Sequence, residues 1–374
     1  MNVIYIANTR LPTEKAHGYQ IMKTCEALAS HGCAVELVVP RRKRFVAKDP
    51  FSYWAVARTF RIVELPTTDF ISSNTVPRKI AFLIDAASFA FQAFRYTRKK
   101  RDICAVFARD REISLLSLIV KTPMIFEVHF LPRMIWLYRF VWKNMYAIIA
   151  ITHGLKALLI NAGFDEKRIA VLPDSVDLNI FKNIPSKATL RKELGISDDQ
   201  FIVLYAGQLF LWKGVQTLVA SAKKIPKESA VFIVGGSDAD IQKLKSEAPH
   251  NVVFVGHVLP QQVPKWLCAA DVLVLPNSAR HPISQYYTSP LKLFEYMASG
   301  VPIVASDLPS LREILNERTA FFFEPDNAAS LADILVAAQN NYVEAEKRAK
   351  RAREDIKQYT WEQRARIILD LMQE

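Results

Sequence analysis

One carboxylate, Glu295, stands inside the apolar stretch SPLKLFEYMASG, Ser289–Gly300, which runs on into VPIVAS. An acid in such a segment is a catalytic acid, a ligand for a sugar hydroxyl, or half of a core ion pair. Its neighbours narrow the choice. Ser289 reads as a helix N-cap and Pro290 as the first helical residue. The N–H groups of Leu291 and Lys292 then lack intrahelical partners. Such a helix mouth attracts anions, and Lys292 adds a cation. Glu295 lies one turn deeper on the face of Leu291, where a carboxylate can accept two ribose hydroxyls. Phosphate at the mouth and ribose on Glu295 would describe one nucleotide. Pairing of Glu295 with a nearby Lys or Arg is the competing reading.

Two other stretches carry related chemistry. In YAGQLFLWKGV, Tyr205–Val215, a strand ends at Gly207, and a short loop delivers Lys213 and Gly214 ahead of a helix. Glycine lets the backbone approach a ligand, and a compact ammonium suits phosphate; a plain surface lysine is the alternative. In VVFVGHVLP, Gly256 and His257 end a strand, where backbone groups can read the edge of a base, although an ordinary strand-to-loop glycine explains that stretch alone. SDAD, Ser237–Asp240, fits a metal-binding DxD pattern but opens a helix, where acids suit the dipole. Asp271 reads as a turn or cap residue before a strand.

These residues need strand ends and helix starts to hold them. Short apolar runs alternate with helical segments throughout: NVIYIAN, AVELVVP, CAVFARD, MIFEVHF and AIIAITH in the first half; FIVLYAG, AVFIVGG, NVVFVGH, DVLVLPN, PIVASD and FFFEP in the second. Buried strands alternating with helices predict parallel sheets covered on both faces. Two such series predict two Rossmann-like domains, with the boundary in VLPDSVDLNIFKNIPS. The expected division is 1–172, 173–357, and a terminal helix 358–374 with Thr360 as its N-cap.

Composition sets outer bounds. The chain has 374 residues, 51% of them hydrophobic, enough for two cores. Four cysteines, Cys25, Cys33, Cys104 and Cys268, form no CxxC pair, which suits a reducing compartment. The opening MNVIYIANTRLP has no signal-like run, and no stretch reaches the length of a membrane span. A cytoplasmic protein is expected. Residues 1–170 hold 26 Lys and Arg against 13 Asp and Glu, a net +13, whereas residues 171–374 hold 23 against 24, a net −1. The basic half, with RRKR (Arg41–Arg44) and RKKR (Arg98–Arg101), is either a solvated surface or an attraction for an anionic leaflet or substrate. No nucleic-acid-binding module is present, and no nucleic-acid partner is expected.

In this order and spacing, YAGQLFLWKGV, AADVLVLPN, SPLKLFEYMASGVPIVASD and YTWEQRARIIL resemble glycosyltransferase family 4 over nearly the whole chain. The resemblance implies the α/β GT-B fold: two Rossmann-like domains facing across a cleft, with the C-terminal helix returning to the first domain. It also implies retaining transfer from a nucleoside diphosphate sugar. Lys213 would bind the donor diphosphate, and Gly207, Gln208, His257, Val258, Tyr287, Ser289, Pro290, Leu291, Lys292 and Glu295 would line the donor site. Two positions depart from the family pattern. Gln208 stands where an arginine is usual, so Lys292 or the helix dipole must compensate. Tyr287 stands where the first of two glutamates is usual. In the first domain the resemblance places His129 at the donor sugar or its phosphate and Gly18 at close approach to the donor. Glu14, Lys15, His17 and Arg109, with Asp110 beside it, are acceptor-side candidates.

The implied reaction is front-face attack with retention, and the leaving phosphate helps to take the acceptor proton. The protein orients the reactants and stabilises diphosphate charge, and closure is expected near Asp174–Asp177. Neither cofactor nor metal is expected; the donor is a UDP- or GDP-sugar. The expected acceptor is a saccharide or lipid-linked chain, with the protein at the inner face of the cell membrane. A sugar-nucleotide epimerase of the same architecture, or an inert nucleotide-binding homologue, are the alternatives that Gln208 and Tyr287 leave open.

Overall fold

The computed structural model describes residues 1–373 except Phe45, Asn74 and Arg101, so the basic run Arg98–Arg101 ends outside the described residues. The chain forms two α/β units, Met1–Pro173 with Trp361–Glu374, and Asp174–Thr360.

The first unit is built on β1 (Asn2–Ile6), β2 (Ala34–Arg41), β3 (Arg61–Pro66), β4 (Ala105–Ala108), β5 (Met124–Val128), β6 (Ala147–Ala150) and β7 (Ile169–Val171). They form one sheet, in the order β3-β2-β1-β4-β5-β6-β7, and every pair is parallel. The second unit carries β8 (Phe201–Ala206), β9 (Ser229–Val234), β10 (Val252–Gly256), β11 (Val272–Leu275), β12 (Ile303–Ser306) and β13 (Phe321–Phe323), in the order β10-β9-β8-β11-β12-β13. These pairs are parallel too.

Side-chain alternation shows why these runs are apolar from end to end. Ile202, Leu204 and Ala206 of β8 enter one core cluster, and Val203 and Tyr205 enter the other. Leu273 and Leu275 of β11 alternate with Val272 and Val274 in the same way. A strand covered on both faces has no polar side to show. Chain order reverses beside β1 and β4 in the first sheet, and beside β8 and β11 in the second. At such switch points the loops leave in opposite directions and open a crevice at the carboxyl ends of the strands.

Two strands were not anticipated. β3 is an edge strand whose run RIVELP mixes Arg61 and Glu64 with apolar residues, and β7 has three residues. The helix at Glu295 also differs from expectation. It spans Leu291–Ser299 with Pro290 as its N-cap, and no side chain caps it. The Ser289 hydroxyl instead accepts the Asp174 N–H at 2.8 Å, so Ser289 ties the chain entry of this unit to the helix rather than closing the helix mouth. The segment ahead of it contains the short helix Pro282–Tyr286.

In the first unit the terminal helix Trp361–Leu371 packs on the helix Ala16–Ser30. A buried ionic network fixes it. Glu127, wholly buried in β5, accepts from Arg364 Nη2 at 2.5 Å, Gln20 Nε2 at 2.6 Å and His129 Nε2 at 2.6 Å. Arg364 Nε also donates to the Pro173 carbonyl at 3.1 Å. Burial pushes the Glu127 carboxyl up, but the Arg364 guanidinium, the His129 hydrogen bond and Arg109 outweigh it and hold the group well below the ordinary carboxylate range. Removing one partner leaves the other charge buried alone, which costs about 3–5 kcal/mol. Arg364→Met is therefore expected to destabilise the protein by about that amount, and the Glu127→Leu/Arg364→Met double variant to recover much of the loss. Denaturant unfolding of the four proteins of the cycle checks this; additive losses would contradict it.

Candidate active site

The candidate residues of the second unit collect at the carboxyl edge beside β8 and β11. Gly207 follows β8 with φ +136°, in the region that disfavours side chains. The next turn, Leu211–Lys213, ends at Gly214, where a Cβ would stand 1.8 Å from the Pro276 carbonyl oxygen. Glycine here lets the Lys213 loop lie directly on the loop after β11, and Ser278 N–H donates to Trp212 C=O at 3.0 Å.

Three ionisable groups meet in this region. The Lys292 ammonium is buried, stands 3.8 Å over the Tyr205 ring, and has no hydrogen-bond acceptor among the described residues. The Tyr205 hydroxyl, in turn, donates to the Gln208 carbonyl at 2.7 Å. Burial, then the Lys213 charge, hold Lys292 well below the ordinary lysine range. Burial lowers Lys213 to about 8, against a smaller opposing pull from Glu295. Burial raises Glu295 to about 7, with Lys213 pulling it back. Glu295 makes no ion pair among the described residues, so the core-pair reading does not describe this structure. The first intrahelical bond runs from Leu293 N–H to Pro290 C=O, leaving the Leu291 and Lys292 N–H groups ahead of the ladder. Two cations short of counter-charge beside such a mouth are an arrangement that can hold an anion.

The rest of the candidate donor set is spread along the same edge. Tyr287 caps the short helix before Glu295 and is half-buried. His257 follows β10 and is exposed, and Val258 packs against the core. Sequence reasoning passed over Asn277, after β11: it is wholly buried, and neither polar side-chain atom has a partner among the described residues. Ser306, at the end of β12, is likewise buried, and its hydroxyl has no partner among the described residues. Buried polar atoms are almost always hydrogen-bonded, and a small amide inside VLPNS gives no sign of this in the sequence.

Two acids outside the pocket have structural roles. In SDAD, the Ser237 hydroxyl donates to the Asp240 carboxylate at 2.6 Å and accepts its N–H at 3.3 Å, which caps the helix Asp238–Lys245. Asp271 is more than the turn residue expected. It is buried against Arg191 at 2.5 Å and Lys187, and it accepts the Ile202 N–H at 2.6 Å.

In the first unit, His17, Arg109 and His129 gather at the carboxyl ends of β1, β4 and β5. His129 Nε2 bonds Glu127, and burial with the Arg109 charge lowers its pKa to about 4, so it is neutral near pH 7. His17 Nε2 lies 2.9 Å from the Thr9 hydroxyl, and burial, Arg109, Lys15 and His129 lower its pKa to about 3. Arg109 donates to Gln20, and Asp110 accepts the Asn8 N–H at 2.6 Å. Glu14 and Lys15 are exposed just before the first helix. Gly18 has a packing reason of its own: a Cβ there would lie 2.5 Å from Thr13 and 2.7 Å from the Trp54 ring. Glu127 is the residue missed here; an acid within a strand run looks like an exception to the pattern until its three donors are seen. A separate cavity of about 600 Å³ lies at the opposite edge of this sheet, around Met124, Ala147 and Ile169, and holds none of these residues.

Two parallel α/β units of this topology make the GT-B fold. The fold of Anabaena HepE, solved with UDP and glucose, matches 100% of this chain and 99% of that one at a TM-score of 0.79 and 15% identity. The family descriptions Glycosyltransferase Family 4 and Glycosyl transferases group 1 match residues 18–180 and 200–341, and the chain belongs to this glycosyltransferase family. It is 28% identical over 223 residues to a D-inositol 3-phosphate glycosyltransferase of Xylanimonas cellulosilytica, covering 56% of this chain and 52% of that protein. It is also 28% identical over 166 residues to the alpha-galactosylglucosyldiacylglycerol synthase of Streptococcus pneumoniae, covering 42% of each. The matches thus span about half the length of these curated relatives.

Glu295 yields a test with two readouts. With its pKa raised to about 7, the folded protein keeps a proton that the unfolded chain has already released below that pH. Ionisation therefore costs stability, and the cost is fully present above about pH 7. Glu295→Gln is expected to raise the melting temperature at pH 8 while weakening binding of UDP or GDP. A variant that melts lower and binds as wild type would contradict this account.

Proposed function

We propose that the protein is a retaining glycosyltransferase that moves a sugar from a nucleoside diphosphate to an acceptor hydroxyl in cell-surface polysaccharide or glycolipid assembly. The observation that carries this reading is the cluster of Lys213, Lys292 and Glu295 beside the β8–β11 switch point. Two lysines short of counter-charge match the two phosphates of a donor, and a carboxylate one helical turn deeper matches a ribose diol. HepE, with its bound UDP, and a relative named for a diacylglycerol glycolipid support the same class of donor and acceptor.

In this mechanism the second unit holds the donor. Lys213, Lys292 and the Leu291 and Lys292 N–H groups stabilise charge as the diphosphate leaves. Lys292 offsets the missing arginine at Gln208. The reading needs no metal, because the lysines and the helix mouth meet the diphosphate charge. The acceptor hydroxyl attacks the face the diphosphate leaves, and the departing phosphate takes its proton. The first unit supplies the acceptor side through His17 and Arg109, and His129 meets the donor sugar or its phosphate. Neutral His129 donates Nε2–H to Glu127, which leaves Nδ1 as an acceptor for a substrate hydroxyl. The Tyr287 hydroxyl takes the sugar contact that a glutamate makes in related proteins. Retention and metal independence come from the family resemblance, and the membrane-linked acceptor from the basic first unit.

Lys213→Ala is expected to lower turnover at saturating donor by about 100-fold or more. The measurement is nucleotide release from a panel of UDP- and GDP-sugars, with and without saccharide or lipid-linked acceptors. Release that depends on acceptor supports transfer. Interconversion of the sugar without acceptor would indicate an epimerase, and binding without either reaction an inert homologue.

A further inference from the structure

The turn Leu211–Lys213, which delivers Lys213 to its cluster, carries a group of large apolar side chains that the core does not take up. Phe210 is 46% exposed and Leu211 70%, while Trp212 is half-buried. The Phe210 and Trp212 rings are nearly parallel, with planes 22° apart and centroids 6.3 Å apart. The short helix Pro282–Tyr286 packs on this turn and adds the exposed Ile283 and Tyr286. The backbone beneath these rings is fixed. The Trp212 carbonyl accepts the Ser278 N–H at 3.0 Å and the Ser284 hydroxyl at 3.1 Å. Ser284 is itself buried, and its carbonyl accepts the Ser310 hydroxyl at 2.6 Å. The Lys213 and Gly214 N–H groups close the turn on the Phe210 and Leu211 carbonyls. An isolated exposed leucine needs no explanation, but an aromatic pair held on a fixed turn beside a binding cluster does. Such a surface loses little freedom when a ligand covers it.

Size and charge identify the occupant. A stable protein interface takes about 20–30 residues a side, whereas these side chains sit on one turn and one short helix. An anionic leaflet calls for a rim of cations. In the run QLFLWK, Gln208–Lys213, Lys213 is the one cation, and its ammonium lies 4.7 Å from the Trp212 centroid, in the cluster with Lys292 and Glu295. A pyranose ring fits better. Its C–H face is apolar and comparable in width to an aromatic ring, and its rim carries hydroxyls that a phenol such as Tyr286 can meet. Saccharide chemistry is required of a chain in a glycosyltransferase family. In the proposed function the donor sugar is met by Tyr287 and His129, which leaves the Phe210–Trp212 ledge for the saccharide that receives it.

We propose that Phe210 and Trp212, flanked by Leu211 and Tyr286, form a stacking subsite for a pyranose ring of the acceptor saccharide. This deepens the proposed function and rests on it only for the role of acceptor. Saccharide binding by the full chain without donor tests it, so failure of transfer leaves the outcome unaffected. The probes are soluble oligosaccharides of neutral hexoses and of N-acetylhexosamines, followed by saturation-transfer NMR and by tryptophan fluorescence. The sugar C–H protons are expected to receive saturation from the protein, and the fluorescence change on binding to be lost in Trp212→Phe. Phe210→Ala is expected to weaken saccharide binding about ten-fold, with an unchanged melting temperature and unchanged affinity for UDP or GDP. Phe210→Trp is expected to retain binding, and Phe210→Leu, apolar but without a ring face, to lose it. No saturation of any probe, or wild-type saccharide binding by Phe210→Ala or Phe210→Leu, would overturn the proposal. So would a wild-type dimer, or binding to lipid vesicles, that Phe210→Ala abolishes while saccharide binding is unchanged.

Discussion

An ammonium group placed in a protein interior without a partner tends to lose its proton or to draw an anion toward it. Lys292 is held in that condition, with a tyrosine ring beneath it and a second lysine near enough to oppose its charge. The fold of the second unit keeps it there. Its helix begins at Leu291 after the extended Pro290, and Met297, Phe294 and Leu293 anchor the same helix in the core. The neighbouring loop must close down at Gly214, where only glycine clears the Pro276 carbonyl. Fold and binding are thus coupled. The elements that bury the apolar face of the helix also strip water from its lysine, and in the proposed function a diphosphate returns the missing negative charge.

The first unit handles buried charge in the opposite way. Glu127 is saturated by three donors, one from the terminal helix, and it stays ionised despite complete burial. That arrangement fixes structure and sets the proton on one nitrogen of His129. The contrast separates a network that is internally complete from a pocket that is not, and the incomplete pocket is where a ligand gains most.

The sequence announced the second unit more fully than the first. Its six strands are short apolar runs with glycine or proline punctuation, and a strand buried on both faces has to be written that way. β3 was lost because an edge strand tolerates Arg61 and Glu64, and β7 because three residues carry no periodicity. Lys213, Lys292 and Glu295 were legible because helix starts and strand ends place them. The cap was misread at Ser289, since sequence cannot tell a hydroxyl that closes its own helix from one that accepts a remote N–H, here Asp174. Glu127 and Asn277 escaped for a related reason. Their roles depend on partners, or on the lack of them, far away in the chain.

The central claim is that Lys213 and Lys292 are held partly neutral until a diphosphate binds. Calorimetry of UDP and GDP binding at pH 8, repeated in buffers of different ionisation enthalpy, tests it most directly. With Lys213 near 8 and Lys292 also depressed, binding of the nucleotide is expected to take up protons from the buffer, and the uptake should fall in Lys213→Ala. Binding with no proton uptake, or with release, would contradict the account.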